Sequence, residues 1–267
     1  VNYVVPNWAT GDWATGNWGL SFVVFYLLSV VYRLLSFICY LLSIVYCLLS
    51  HHKLINDSMN YPPKEERLNT LTHGLGGLLA IAGSVLMVYY AAVNGSALAV
   101  VCASIYGASL ILLYFASTAY HGVRNPKWKK KLQVVDHLCI YLLIAGTYTP
   151  VVLLGIGGAW GWTLFSIIWG LAILGFVFRL SSFKKSERIS LALYVLMGWL
   201  IVVGIKPVLE NIPGPALLLF ALGGIFYTSG IYFYVKDKIR FNHAIWHVFV
   251  MAGSLLHFFG VFFYLIP

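Results

Sequence analysis

Charge is what this sequence has least of. Only 9% of its 267 residues are Asp, Glu, Lys or Arg, and acids are the scarcer sign, 8 against 17 Lys and Arg. Soluble domains carry about 25% charged residues, so that class is excluded. Cysteine is also sparse. Cys39, Cys47, Cys102 and Cys139 lie in apolar stretches without paired spacing, which argues against a disulfide framework or a thiolate metal site. What fills the chain is apolar: 61% hydrophobic residues and a mean hydropathy of +0.86. The fold class expected is all-α, a polytopic bundle of membrane-spanning helices. The net charge of +9 does not point to nucleic acid, because the bases sit in short loops between apolar runs, where they set topology.

Two parts of the chain differ in pattern. Residues 7–18 form a near-perfect five-residue repeat, and residues 26–53 a seven-residue one, YLLSVVY, RLLSFIC, YLLSIVY, CLLSHHK. The heptads are apolar on nearly every face and lack the charged flanking positions of a coiled coil. A seven-base DNA repeat gives such a heptapeptide, since three copies make seven codons. Residues 1–60 are therefore expected to be a repeat-rich extension read into the frame, with a functional start near Met59. The alternative is an eighth spanning helix over about Leu20 to Leu49, with Arg33 near its middle. Peptides from residues 1–50 in mass spectra of the native protein would rule out the first reading. Residues 61–267 form the main domain.

That domain holds seven apolar runs at roughly 71–93, 97–120, 137–155, 161–179, 188–206, 215–235 and 244–266. Each is near the ~20 residues needed to cross a bilayer. Turn residues separate them, as in Asn94-Gly95-Ser96 and Ile212-Pro213-Gly214-Pro215. The second, fourth and sixth loops carry Arg124 with Lys127 and Lys129 to Lys131, Arg179 with Lys184, Lys185 and Arg188, and Lys236 with Lys238 and Arg240. The first and third loops have no Lys or Arg, and the fifth has only Lys206. The positive-inside rule makes the even loops cytoplasmic. The first span then starts inside and the C-terminus lies outside.

Ionisable residues at the ends of these runs mark a site. His121 ends the second span, Asp136 opens the third, and His243 and His247 open the seventh, all on the side assigned to the cytoplasm. Such groups are costly at membrane depth and face a cavity, a partner or a metal. His243 and His247 share one helix face, a usual bidentate spacing. Three imidazoles would repel one another if charged, so a metal cation is the simpler tenant. Three histidines with an open position fit zinc. A polar cluster that glues helices together is the structural alternative. Ser117 lies one turn before His121, and Glu66, Asn69 and His73 form another stripe near the same depth. His73 and His257 are expected to be hydrogen-bonded core histidines; His257 lies roughly 15 Å deeper than His247 at helical rise. His137 is expected to point away from the metal, and Trp128, Trp160, Trp162 and Trp246 to anchor span ends at the interface.

Glu66-x-x-Asn69-x-x-x-His73, Ser117-x-x-x-His121, Asp136 and His243-x-x-x-His247 together resemble the motif set of the progestin and adipoQ receptor family. The stretch from Asp136 to Pro150 and the segment Leu256-His257-Phe258-Phe259-Gly260-Val261 resemble its bacterial haemolysin III branch. The resemblance covers about Glu65 to Pro267. It implies seven helices with a cytoplasmic N-terminus and zinc held by His121, His243 and His247, with Asp136 and nearby Ser117 orienting the water at the metal. It implies a bacterial plasma membrane location, and, since eukaryotic members look related to ceramidases, hydrolysis of a lipid amide. Asp136 would be the base, and Ser117 would help hold the developing oxyanion. Two alternatives are non-enzymatic: a haemolysin-type membrane-perturbing or channel-like protein, and a membrane-homeostasis receptor with a structural zinc. Membrane lipids are the expected partners in each.

Overall fold

The computed structural model describes residues 61–180, 187–236 and 238–266. The repeat-rich segment 1–60, the eighth-helix alternative and the start near Met59 lie outside the described residues, as do Lys184 and Lys185. Among the described residues, seven helices are long and apolar enough to span a membrane: Pro63–Asn94, Ala97–Gly122, Pro126–Ile156, Gly158–Leu180, Glu187–Asn211, Gly214–Val235 and Asn242–Tyr264. They are called the first to seventh spans below.

The first and third spans begin well before their apolar runs. Pro63 and Pro126 occupy first-turn positions, where proline's missing N–H costs nothing. The helices continue through polar residues because water or side chains can satisfy the extra turns. That extension carries Glu65 and Glu66 above the apolar part of the first span. Asn125 caps the third span by accepting from the Lys127 and Trp128 N–H groups, and Ser96 caps the second through Ala99.

Close helix approach rests on small residues, as expected where lipid gives no hydrophobic drive for association. The first and second spans meet where Gly76 faces the Tyr114 ring; a Cβ there would lie 2.7 Å from it. The third and fourth meet at Gly175, where a Cβ would lie 2.4 Å from Tyr141. Cys102 and Cys139 are buried free thiols.

Two spans break their regular helix beside the central cavity. The third passes Pro150 into a π-helical turn, Val151–Ile156, and ends at Gly157 with φ 67°, a conformation that favours glycine. The fifth breaks at Trp199, runs as a 3-10 turn over Leu200–Gly204, and resumes as Ile205–Asn211. Pro207 lies one turn into the resumed helix and has no N–H to continue the ladder. The Tyr148 hydroxyl repairs this break. It donates to the Gly198 carbonyl at 2.9 Å and accepts from the Ile201 N–H at 2.8 Å. Backbone groups freed in a membrane helix need such partners.

Candidate metal centre

The basic end of the bundle gathers the polar residues. His121, from the end of the second span, meets His243 and His247 from the start of the seventh. One ring nitrogen of each lies within 4.8 Å of the other two, and all three side chains are buried. No metal is needed to see how the rings are aimed, because each Nδ1 is engaged by a residue just before the first span or in its first three turns.

His121 Nδ1 lies 2.6 Å from Glu66 Oε2, and Lys129 holds the other carboxylate oxygen at 2.8 Å. A carboxylate can only accept, so His121 carries its proton on Nδ1. Its Nε2 is then a lone pair, buried without a hydrogen-bond partner among the described residues. His247 Nδ1 lies 3.2 Å from Thr72 Oγ1. That hydroxyl donates its own hydrogen to a backbone carbonyl of the preceding turn, Leu68 or Asn69, so it accepts from His247. His243 Nδ1 lies 2.7 Å from the Tyr61 hydroxyl, whose ring packs on the imidazole at 4.5 Å between centroids. Burial pushes the Tyr61 phenol well above its ordinary value, so it stays a neutral hydroxyl. The outer nitrogens are thus taken, and the Nε2 atoms are left for the interior. Metal-ligating histidines typically show this arrangement. The donor set, three imidazoles each held through Nδ1, with the proton placed there in His121 and His247, fits a zinc-type ion with an open position.

The seventh span owes its start to the first. Phe241 turns the chain at φ 59°, and the Glu65 carboxylate then accepts the His243 N–H at 3.2 Å. An acidic group at a helix N-terminus offsets the helix dipole and satisfies a free donor. Sequence reading missed Glu65, Tyr61 and Thr72. Glu65 and Tyr61 sit near the motif residues in sequence, yet only the fold shows which histidine each one serves.

Beside the trio lies a cavity of about 150 Å³. Its wall includes His243 and His247 together with His73, Ser117, Asp136 and His137, and most of the rest is apolar, for example Leu113, Ile144 and Val250. Asp136 and Ser117 are therefore brought to the same chamber as the histidines. Asp136 is not part of the three-histidine group. Ser117 lies close to its carboxylate on the same wall.

The expectation for His73 changes, while those for His137 and His257 hold in outline. His73 has no hydrogen-bond partner on either ring nitrogen among the described residues; it stacks on His247 with 3.5 Å between centroids and 13° between planes. His137 stays out of the trio but lies on the cavity wall, bonded through Nδ1 to the Arg179 guanidinium, while Tyr194 donates to its carbonyl at 2.9 Å. Trp246 also lines the cavity and packs near Tyr234 at 5.5 Å; Trp128 and Trp162 are exposed. His257 hydrogen-bonds through Nε2 to the Phe220 carbonyl at 3.0 Å.

Seven long apolar helices and a buried histidine trio at one end define an integral membrane protein whose core brings three imidazoles within reach of one metal ion. The haemolysin-III related profile matches residues 61–258, and the chain belongs to that family. It is similar to Hemolysin-3 of Bacillus cereus, 46% identical over 204 residues, 76% of this chain and 93% of the relative. It is also similar to the Hemolysin-3 homolog of Bacillus subtilis (strain 168), 45% identical over 201 residues, 75% of this chain and 94% of the relative. A human relative, Monocyte to macrophage differentiation factor, is 30% identical over 210 residues, 75% of this chain and 84% of that protein. These relatives agree with the wider progestin and adipoQ receptor grouping.

Proposed function

We propose that this protein is a zinc-dependent hydrolase of a lipid amide, ceramidase-like, working in a bacterial plasma membrane with its basic end in the cytoplasm. One observation carries the reading: three imidazoles, each held from behind through Nδ1, stand beside an apolar chamber whose wall also holds Ser117 and the Asp136 carboxylate. A structural metal site does not require a carboxylate held on a cavity wall beside it.

His121, His243 and His247 would hold the ion, which supplies Lewis acidity and lowers the pKa of water to about 7. The chain's own residues do the rest. Asp136 accepts the proton of the attacking water and returns it to the leaving amine. Ser117 fixes the orientation of that carboxylate. The apolar wall holds the acyl chain and excludes bulk water, which strengthens each polar contact inside. The clustered basic loops lie at headgroup level in this orientation, where the amide of a membrane lipid sits.

The test is release of fatty acid from ceramide in mixed micelles by the purified protein. Asp136→Asn is expected to keep its zinc and lose turnover. If Asp136→Asn empties the site, Asp136 is a direct ligand and this assignment of roles is wrong.

A second reading draws on the name that two bacterial relatives carry, Hemolysin-3: a membrane-perturbing protein in which zinc is structural. Lysis of erythrocytes that survives Asp136→Asn unchanged would favour it.

A further inference from the structure

We infer that His73 is a catalytic residue of this chamber: its imidazole N–H donates a hydrogen bond to the carbonyl oxygen of the bound amide as that oxygen becomes an anion. The inference rests on the hydrolase reading above.

Ser117 cannot be the donor to that oxygen. A serine hydroxyl has one hydrogen to donate, and Ser117 shares the wall with Asp136, whose carboxylate must be ionised to act as a base and then needs that hydrogen itself. Ser117 is therefore a positioning residue, and the developing oxyanion needs another donor. The cavity wall supplies one. His73 is 4% exposed, and neither Nδ1 nor Nε2 has a partner among the described residues. Buried polar atoms in native proteins are nearly always bonded, and an exception calls for an explanation. A neutral imidazole always carries one N–H, so an uncommitted donor stands on the same wall as Asp136 and His247.

Its position is fixed without hydrogen bonds. One ring face lies flat on His247, and the Tyr114 ring meets it edge-on with 5.1 Å between centroids. Tyr114 is held in turn against Gly76. Packing sets the ring plane and leaves the nitrogens free, as a preorganised donor requires.

The reaction balances as follows. Water adds to the amide carbon, a C–O bond forms, and the carbonyl π pair moves onto the oxygen that His73 N–H contacts. The proton lost by the water goes to Asp136. The C–N bond then breaks, the pair returns to form the carbonyl, and the proton on Asp136 passes to the departing nitrogen. The products are a fatty acid and an amine.

The experiment compares wild type, His73→Phe and His73→Gln, all zinc-loaded. Phenylalanine keeps the stack and most of the volume without a donor; glutamine restores a donor. Zinc content and thermal unfolding are measured first, then ceramide turnover, then the Kd of hexadecylphosphonate, a tetrahedral anion whose binding needs no turnover. His73→Phe is expected to keep its zinc, to lose about a hundredfold in kcat with little change in KM, and to bind the phosphonate about a hundredfold more weakly, the scale for one oxyanion donor. His73→Gln is expected to recover part of both. If His73→Phe turns over ceramide and binds phosphonate like wild type, the inference is overturned while the hydrolase reading stands. If wild type hydrolyses nothing yet phosphonate binding still depends on His73, the hydrolase reading falls and the donor role stands. Loss of zinc in His73→Phe, or no phosphonate binding by wild type, overturns the donor role.

Discussion

Replacing Glu66 tests whether the first span orients the metal site. Its carboxylate takes the proton side of His121 at 2.6 Å and is itself held by Lys129 at 2.8 Å. Partners of this kind typically account for 10–100-fold in metal affinity. At about 1.4 kcal/mol per tenfold, that is about 1.4 to 2.8 kcal/mol, within the range for a hydrogen bond to a charged group. The two parts of the effect can be separated. Glu66→Gln keeps a carbonyl oxygen that can accept from His121 Nδ1 but removes the charge, and is expected to raise the zinc Kd about tenfold. Glu66→Ala removes the acceptor as well and should approach a hundredfold. Lys129→Met removes only the outer member of the chain. Its ammonium and the carboxylate are partly solvated, with 18% and 16% side-chain exposure, and pairs of that kind contribute about 0–1 kcal/mol. Its effect should stay within about fivefold. Titration against a chromophoric zinc chelator in detergent gives all three constants. Wild-type affinity in Glu66→Ala would refute the reasoning, because His121 would then need no anchor from the first span.

Thr72→Val removes the acceptor behind His247 and should weaken zinc binding in the same titration, by less than Glu66→Ala because the lost bond is to a neutral group. Tyr148→Phe leaves the Gly198 carbonyl and the Ile201 N–H at the fifth-span break without the hydroxyl that joins them; thermal unfolding in detergent should show a loss of about 1–3 kcal/mol, the cost of an unsatisfied buried group. Gly223→Ala would place a Cβ 2.2 Å from the His257 ring, and overpacking of that kind costs about 1–3 kcal/mol, read as a lower unfolding midpoint with zinc content unchanged.

The seven spans could be read from the sequence because hydropathy and loop charge report on lipid, a nearly uniform solvent. Their ends could not, since Pro63–Asn94 and Pro126–Ile156 run on through polar residues whose partners are distant in sequence. The histidine trio was readable from spacing together with loop charge: His243 and His247 are one turn apart, and the basic loops put the span end at His121 on the same side. The support behind it was harder to see. Glu65 serves the His243 backbone and Thr72 serves His247, at separations of 178 and 175 residues, and no local pattern encodes such pairs. The expectation for His73 failed for a related reason. A histidine on an apolar helix face normally finds a hydrogen bond, but here stacking on His247 holds the ring.

The most direct measurement is the metal content of detergent-purified protein by elemental analysis, wild type beside His247→Ala. The account predicts about one zinc per chain in wild type, as a single three-histidine site requires, and loss of most of it when three protein ligands become two. Wild-type protein purified without chelators that carries no zinc would contradict the account, and the cluster would then be a polar network that packs helices.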